Sequence, residues 1–151
     1  MFNLQIKYLS FFFGLISVLS FFNIIYSYYL NLYLNLDTYY LTLMISLIIS
    51  VLFYKIKTSE KKSSIFEKIL TVFFGYLLIP LVLSIPFYFS IYDLTFLDSY
   101  FEAISGFTST GFTIFENIKH LDQSLILWRS SSQWIGGLYF LFSIILLIDI
   151  F

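Results

Sequence analysis

The sequence predicts an all-α integral membrane protein. Four transmembrane helices are expected, with one short re-entrant helix and a glycine-containing loop between the third and the fourth. Three observations carry this. Of the 151 residues, 60% are apolar and 11% charged, and the mean hydropathy is +0.90, whereas soluble domains carry about 25% charged residues. Four apolar stretches punctuate the chain. The polar segment between the last two holds helical spacing over a run too short to cross. The 20 Phe and 13 Tyr beside a single Ala (Ala103) reflect AT-rich codon usage and say little about function.

The first apolar stretch runs from Tyr8 to Tyr33, interrupted only by Ser, Asn and Gly. It is longer than the core of a secretory signal and has no small-residue cleavage site, so it is read as a retained span. The second, Tyr39 to Tyr54, has sixteen residues, slightly under the roughly 17–25 of a spanning helix. The third, Ile69 to Ile91, contains Pro80 and Pro86, which are expected to bend it; membrane helices tolerate proline where neighbours satisfy the freed carbonyls. The fourth, Leu125 to Phe151, bears Arg129 near its start and Asp149 near its end.

Lys55, Lys57, Lys61, Lys62 and Lys68 cluster in and just beyond the loop KIKTSEKKSS, and Lys7 precedes the first span. Cytoplasmic loops collect Lys and Arg, so both termini are expected inside and the segment from Tyr92 to Ser124 outside. The net charge of −1 offers no footprint for nucleic acid. The absence of cysteine excludes disulfides, thiolate nucleophiles and thiolate metal sites. His120 stands alone without a second ligand at metal spacing. No G-x-S-x-G elbow or H-E-x-x-H motif is present, so no enzyme is expected.

The segment SGFTSTGFT, Ser105 to Thr113, sets Gly106 and Gly111 five apart with Thr113 beyond. A phosphate-binding loop, G-x-x-x-x-G-K-[ST], would need lysine where Phe112 stands, and its loop precedes a helix. Here the helix comes first. Tyr100, Ala103, Ile104 and Phe107 fall at helical spacing; Ser99 and Glu102 form an S-x-x-E capping box, and Gly106 is the expected stop. A helix of seven to nine residues is about 10–14 Å long, under half of a core about 30 Å thick. Two readings of the unit stay open. It is a re-entrant pore loop offering carbonyl oxygens to a cation at the negative end of the helix dipole, or it is an ordinary extracytoplasmic glycine turn.

From Ser99 to Gly137, in FEAISGFTSTGFT and then LWRSSSQWIGG, the chain resembles the Trk/Ktr/HKT superfamily of potassium and sodium uptake proteins. That family is built from four membrane helix–pore loop–membrane helix repeats in one polypeptide, often preceded by two extra helices. The resemblance implies a two-helix segment over residues 1–62 and the first repeat over 63–151, with pore helix and filter at about 98–113. Ser109-Thr110-Gly111-Phe112 looks like the family's T-x-G-x filter core, whose backbone carbonyls would face potassium as transported ion, with no further cofactor. Glycine at 111 fits the potassium-favouring type.

One repeat is one quarter of such a pore. The chain is accordingly expected to be a fragment, a split gene product or a subunit. Its implied partners are membrane lipid, the remaining pore-loop repeats and a cytosolic nucleotide-binding regulatory subunit, in the inner membrane of a bacterium. The competing expectation is a non-conducting remnant or assembly partner that keeps one pore loop. Arg129 is expected to pair with Glu102 and support the filter; the alternative is snorkelling to the headgroups, with Trp128 and Trp134 as interface anchors. Gly136 and Gly137, with Ser130, Ser131 and Ser132, are expected to give the fourth span a small packing face.

Overall fold

Packing around one tyrosine ties the helices together. In a computed structural model, which describes residues 6–56 and 64–148, Tyr139 is fully buried and meets Phe12, Tyr76 and Phe107 with ring centroids 4.8, 5.0 and 5.3 Å away. Those rings come from three helices: α1 (Ile6–Tyr29), α3 (Ile65–Leu83) and α5 (Phe96–Phe107). Tyr139 itself lies on α6 (Gln123–Ile148), and its hydroxyl donates to the Val72 carbonyl at 3.0 Å. Two more helices, α2 (Leu36–Lys55) and the one-turn α4 (Ile85–Tyr88), complete an all-helical fold among the described residues. Lys57, Lys61 and Lys62 of the basic loop, and Asp149, lie outside them.

Four helical stretches are long and apolar enough to cross a membrane: Ile6–Tyr29, Leu36–Lys55, Ile65–Tyr88 and Gln123–Ile148. Their length and composition are those of a multi-pass membrane protein. The first stretch ends four residues before the expected Tyr33. Asn31 adopts a left-handed φ of +57°, Leu32 N–H donates to the Ser27 carbonyl at 2.8 Å and Asn31 N–H to that of Tyr28 at 3.3 Å. This is a Schellman stop, with asparagine in the position glycine usually takes. α2 starts earlier than expected and reaches 20 residues. It pairs antiparallel with α1 through Ser10 and Ser50, whose hydroxyls each donate to the other's carbonyl at 2.8 Å. Ser20 adds a bond to the Tyr39 carbonyl at 2.6 Å.

The third span also starts early, at Ile65, because Ser64 and Glu67 form a capping box. Ser64 Oγ accepts from Glu67 N–H, and the Glu67 carboxylate accepts from Ser64 N–H. The expected bend is a break: α3 ends at Leu83, Ser84 intervenes, and Pro86 opens α4 where its missing N–H costs nothing. Trp128 is not an interface anchor. It is fully buried, and its indole N–H donates at 3.0 Å to the Leu83 carbonyl at this break. Trp134 is 60% exposed.

α5 starts earlier than expected and takes the longer of its two expected ends, Ser105 and Phe107. Its N-cap is Thr95, whose hydroxyl accepts from Asp98 N–H at 3.2 Å. Ser99 lies one turn inside and donates to the Thr95 carbonyl, so no Ser99–Glu102 capping box forms. Gly106 does not stop the helix; it continues to Phe107. The reason is packing: this end of α5 lies against the small-residue face of α6, with Gly106 near Ser132 and the Phe107 carbonyl against Gly136. A Cβ built at Gly136 would run into that carbonyl.

Gly136→Ala should therefore force α5 off α6 and lower stability by about 1–3 kcal/mol. Thermal unfolding of the detergent-solubilised protein reads this. Trp134→Leu, on the exposed side of the same helix, should stay within about 0.5 kcal/mol.

Candidate functional site

The loop that follows α5 turns its amide hydrogens inward. Thr108, Ser109 and Thr110 N–H groups donate back to the carbonyls of Ile104, Gly106 and Ser105 at 2.8, 2.9 and 3.1 Å. The first uncoiled residues thus wind tightly over the end of the helix. Ser109 takes a φ of +56° and Gly111 one of +79°. The space around a Cβ at Gly111 is open, so glycine is required there by backbone conformation and not by crowding.

Ser105, on the last turn of α5, holds the returning strand of the loop. Its hydroxyl donates to the Phe112 carbonyl at 2.6 Å, and Thr110 Oγ1 lies 3.2 Å from both Ser105 oxygens. Periodicity marked only the apolar positions of this helix, so Ser105 went unnoticed in the sequence. Its place one helical turn before the Ser109 turn was the available signal.

Glu102 is fully buried. One carboxylate oxygen accepts Ile114 N–H at 2.6 Å, and the other accepts Arg129 Nε at 3.1 Å. Arg129 Nη2 reaches the carbonyls of Phe112 at 3.1 Å and Gly111 at 3.4 Å. The structure therefore brings together all six singled-out residues. Glu102 and Arg129 sit behind the loop, while Ser109, Thr110, Gly111 and Phe112 are exposed, Phe112 by 68%. Two of those four carbonyls already accept from the guanidinium. The carbonyls of Phe107, Thr108, Ser109 and Thr110 accept no hydrogen bond from any described residue.

The far end of the loop is anchored separately. Asp122 carboxylate accepts from Asn35 Nδ2 at 3.0 Å and from Ser124 Oγ, and Tyr39 shares a 2.9 Å hydrogen bond with Ser124. Asp122 N–H donates to the Tyr92 hydroxyl at 2.8 Å. Tyr100, on α5, donates to the Leu77 carbonyl at 3.0 Å, and burial raises its pKa above the ordinary tyrosine value. Among the described residues no cluster of three or more His, Cys, Asp or Glu side chains could hold a metal. What the loop offers is backbone oxygen at the negative end of a helix.

The chain is 29% identical over 82% of its length to an uncharacterised cation transporter of Methanocaldococcus jannaschii. It is 40% identical over 60 residues, 40% of its length, to the Trk system potassium uptake protein TrkI of Halomonas elongata. With TrkG of Escherichia coli it shares 41% identity over 46 residues, 30% of its length. Over those regions the chain is similar to Trk potassium uptake proteins. The matched regions span 26% of the M. jannaschii protein and 11% and 10% of the two Trk proteins. No family model matches the chain, and no solved structure gives a significant match.

Removing the guanidinium from behind this loop would strand a buried carboxylate. Arg129→Leu should cost about 3–5 kcal/mol of stability. Adding Glu102→Gln should recover part of that loss, a coupling measurable by a double-mutant cycle in thermal unfolding.

Proposed function

We propose that this chain supplies one pore loop of a Trk-type potassium uptake permease. The observation that carries the reading is the oxygen-presenting loop at the carboxyl end of α5, in a chain whose relatives are named as potassium uptake proteins and a cation transporter. In this reading α5 is a re-entrant pore helix and residues 98–113 hold helix and filter. Carbonyl oxygens replace the hydration shell of an alkali cation. Ser109 and Thr110, whose carbonyls have no internal donor, are the principal ligands. The carbonyls of Gly111 and Phe112 complete the set, held in place by Arg129, which Glu102 positions in turn.

The remaining loops around the pore axis come from further repeats or subunits of the same permease, surrounded by membrane lipid, with a cytosolic nucleotide-binding subunit as regulator. The two-helix segment, residues 1–62, buttresses the repeat of residues 63–151. Both termini face the cytoplasm and the loop faces outward, an orientation the lysine distribution supports, in a bacterial inner membrane. The role of the chain in the assembled permease is transport and not catalysis.

Expression together with the remaining pore-loop repeats of a Trk-type permease should restore growth of a potassium-uptake-deficient bacterium at limiting potassium. Gly111→Ala forces a residue with a Cβ into the left-handed region at about 1–2 kcal/mol. Its potassium uptake should fall about tenfold in the same strain at equal protein level. If neither the chain alone nor the combined expression supports uptake, the non-conducting alternative replaces this reading.

A further inference from the structure

Beside the loop, where α3, the end of α5 and α6 meet, lies a groove of about 440 Å³. That falls within the roughly 300–1,000 Å³ of small-molecule sites. Half-buried Tyr76 and Phe140, 55% exposed, are its accessible aromatic rings; Phe107 is buried beneath and meets Tyr76 edge to face at 5.6 Å. Thr108 and Ser109 border it with hydroxyls, and no charged side chain lines it. The rim is also the carboxyl end of a 12-residue helix, whose terminal carbonyls from Phe107 onward accept no hydrogen bond from described residues. The floor is open: a Cβ at Gly137 meets no atom within 4 Å.

We propose that this groove binds a small quaternary ammonium ion. The charge complementarity has two sources, each insufficient alone. Aromatic rings attract a diffuse cation through their quadrupoles, and the helix end contributes a fixed negative potential. A bare alkali ion would demand a closed shell of oxygens, which apolar walls do not give. An anion would meet the wrong end of the dipole. A tetraalkylated nitrogen suits both terms, because its alkyl surface is compatible with the rings and it needs no hydrogen-bond acceptor. The proposal stands on the groove alone and does not depend on whether the chain conducts.

The test uses the purified full chain in detergent, with choline as probe and 3,3-dimethylbutan-1-ol as its uncharged isostere. Binding is followed by ligand-observed NMR and calorimetry. Choline should bind at least tenfold more tightly than the isostere. Phe140→Ala, at an exposed position, should weaken choline roughly three- to thirty-fold. Gly137→Leu should fill the groove and abolish binding while circular dichroism and elution volume stay unchanged. Equal affinity for choline and the isostere would reduce the groove to an apolar crevice and overturn the proposal. So would wild-type choline binding by both variants. Since none of these readouts measures uptake, failure here leaves the transport reading to its own test.

Discussion

A carboxylate buried without access to solvent constrains everything around it. Leaving the charge of Glu102 unpaired would cost several kcal/mol, so the surrounding chain must deliver donors. It delivers two of different kinds: a backbone amide from Ile114, twelve residues on, and the guanidinium of Arg129 from the next span. The first fixes how far the loop travels before it returns to the helix. The second ties helix and loop to α6 and carries the guanidinium on to the carbonyls of Gly111 and Phe112. One buried charge thus sets the register of loop against helix and of helix against span.

The other end of the connection is held by neutral groups around a second carboxylate. Asp122 gathers Asn35 and Ser124, while Tyr39 reaches Ser124 and Asn23 Nδ2 reaches the Ser124 carbonyl at 3.2 Å. Ser124 has one hydroxyl proton and gives it to the carboxylate, so the Tyr39 hydroxyl must be the donor in their shared bond. Through this network the α1–α2 hairpin grips the start of α6. Apolar burial gives little drive between helices when lipid is the alternative neighbour, so close packing and polar contacts such as these hold helices together. The hairpin's contribution to the loop is therefore a fixed far anchor, which leaves Ser109 to Phe112 suspended between two clamps.

Much of this was legible in the sequence because it rests on composition and spacing. The four spans follow from runs of apolar residues, and the Glu102–Arg129 pair follows from the expense of a lone charge in a span. Boundaries were less legible where short polar motifs override hydropathy. Ser64 and Glu67 start a helix that hydropathy begins at Ile69, and Asn31 ends one that hydropathy continues to Tyr33. The capping box expected at Ser99 failed for a reason sequence spacing does not show. Thr95 offers a competing cap one turn earlier, and Glu102 is claimed by tertiary partners. Trp128 illustrates the same limit. Its indole is drawn inward by a carbonyl at the α3–α4 break, which exists only once the proline-disrupted span is packed against α6.

The departure of SGFTSTGFT from a phosphate loop is finally a matter of which backbone groups are consumed. A phosphate loop leaves its N–H groups free to surround an anion. Here the N–H groups of Thr108, Ser109, Thr110 and Ile114 are taken by internal acceptors and only those of Gly111, Phe112 and Thr113 find none among the described residues, while four successive carbonyls from Phe107 to Thr110 are left without described donors. The inversion follows from chain order. A loop that enters from a helix's carboxyl end folds its amides back onto the orphan carbonyls of the last turn, and the oxygens it cannot pair are its own. Phe112 in place of lysine is consistent with that polarity: it supplies no cationic side chain for a phosphate, and Arg129 takes the carbonyls of Gly111 and Phe112 instead.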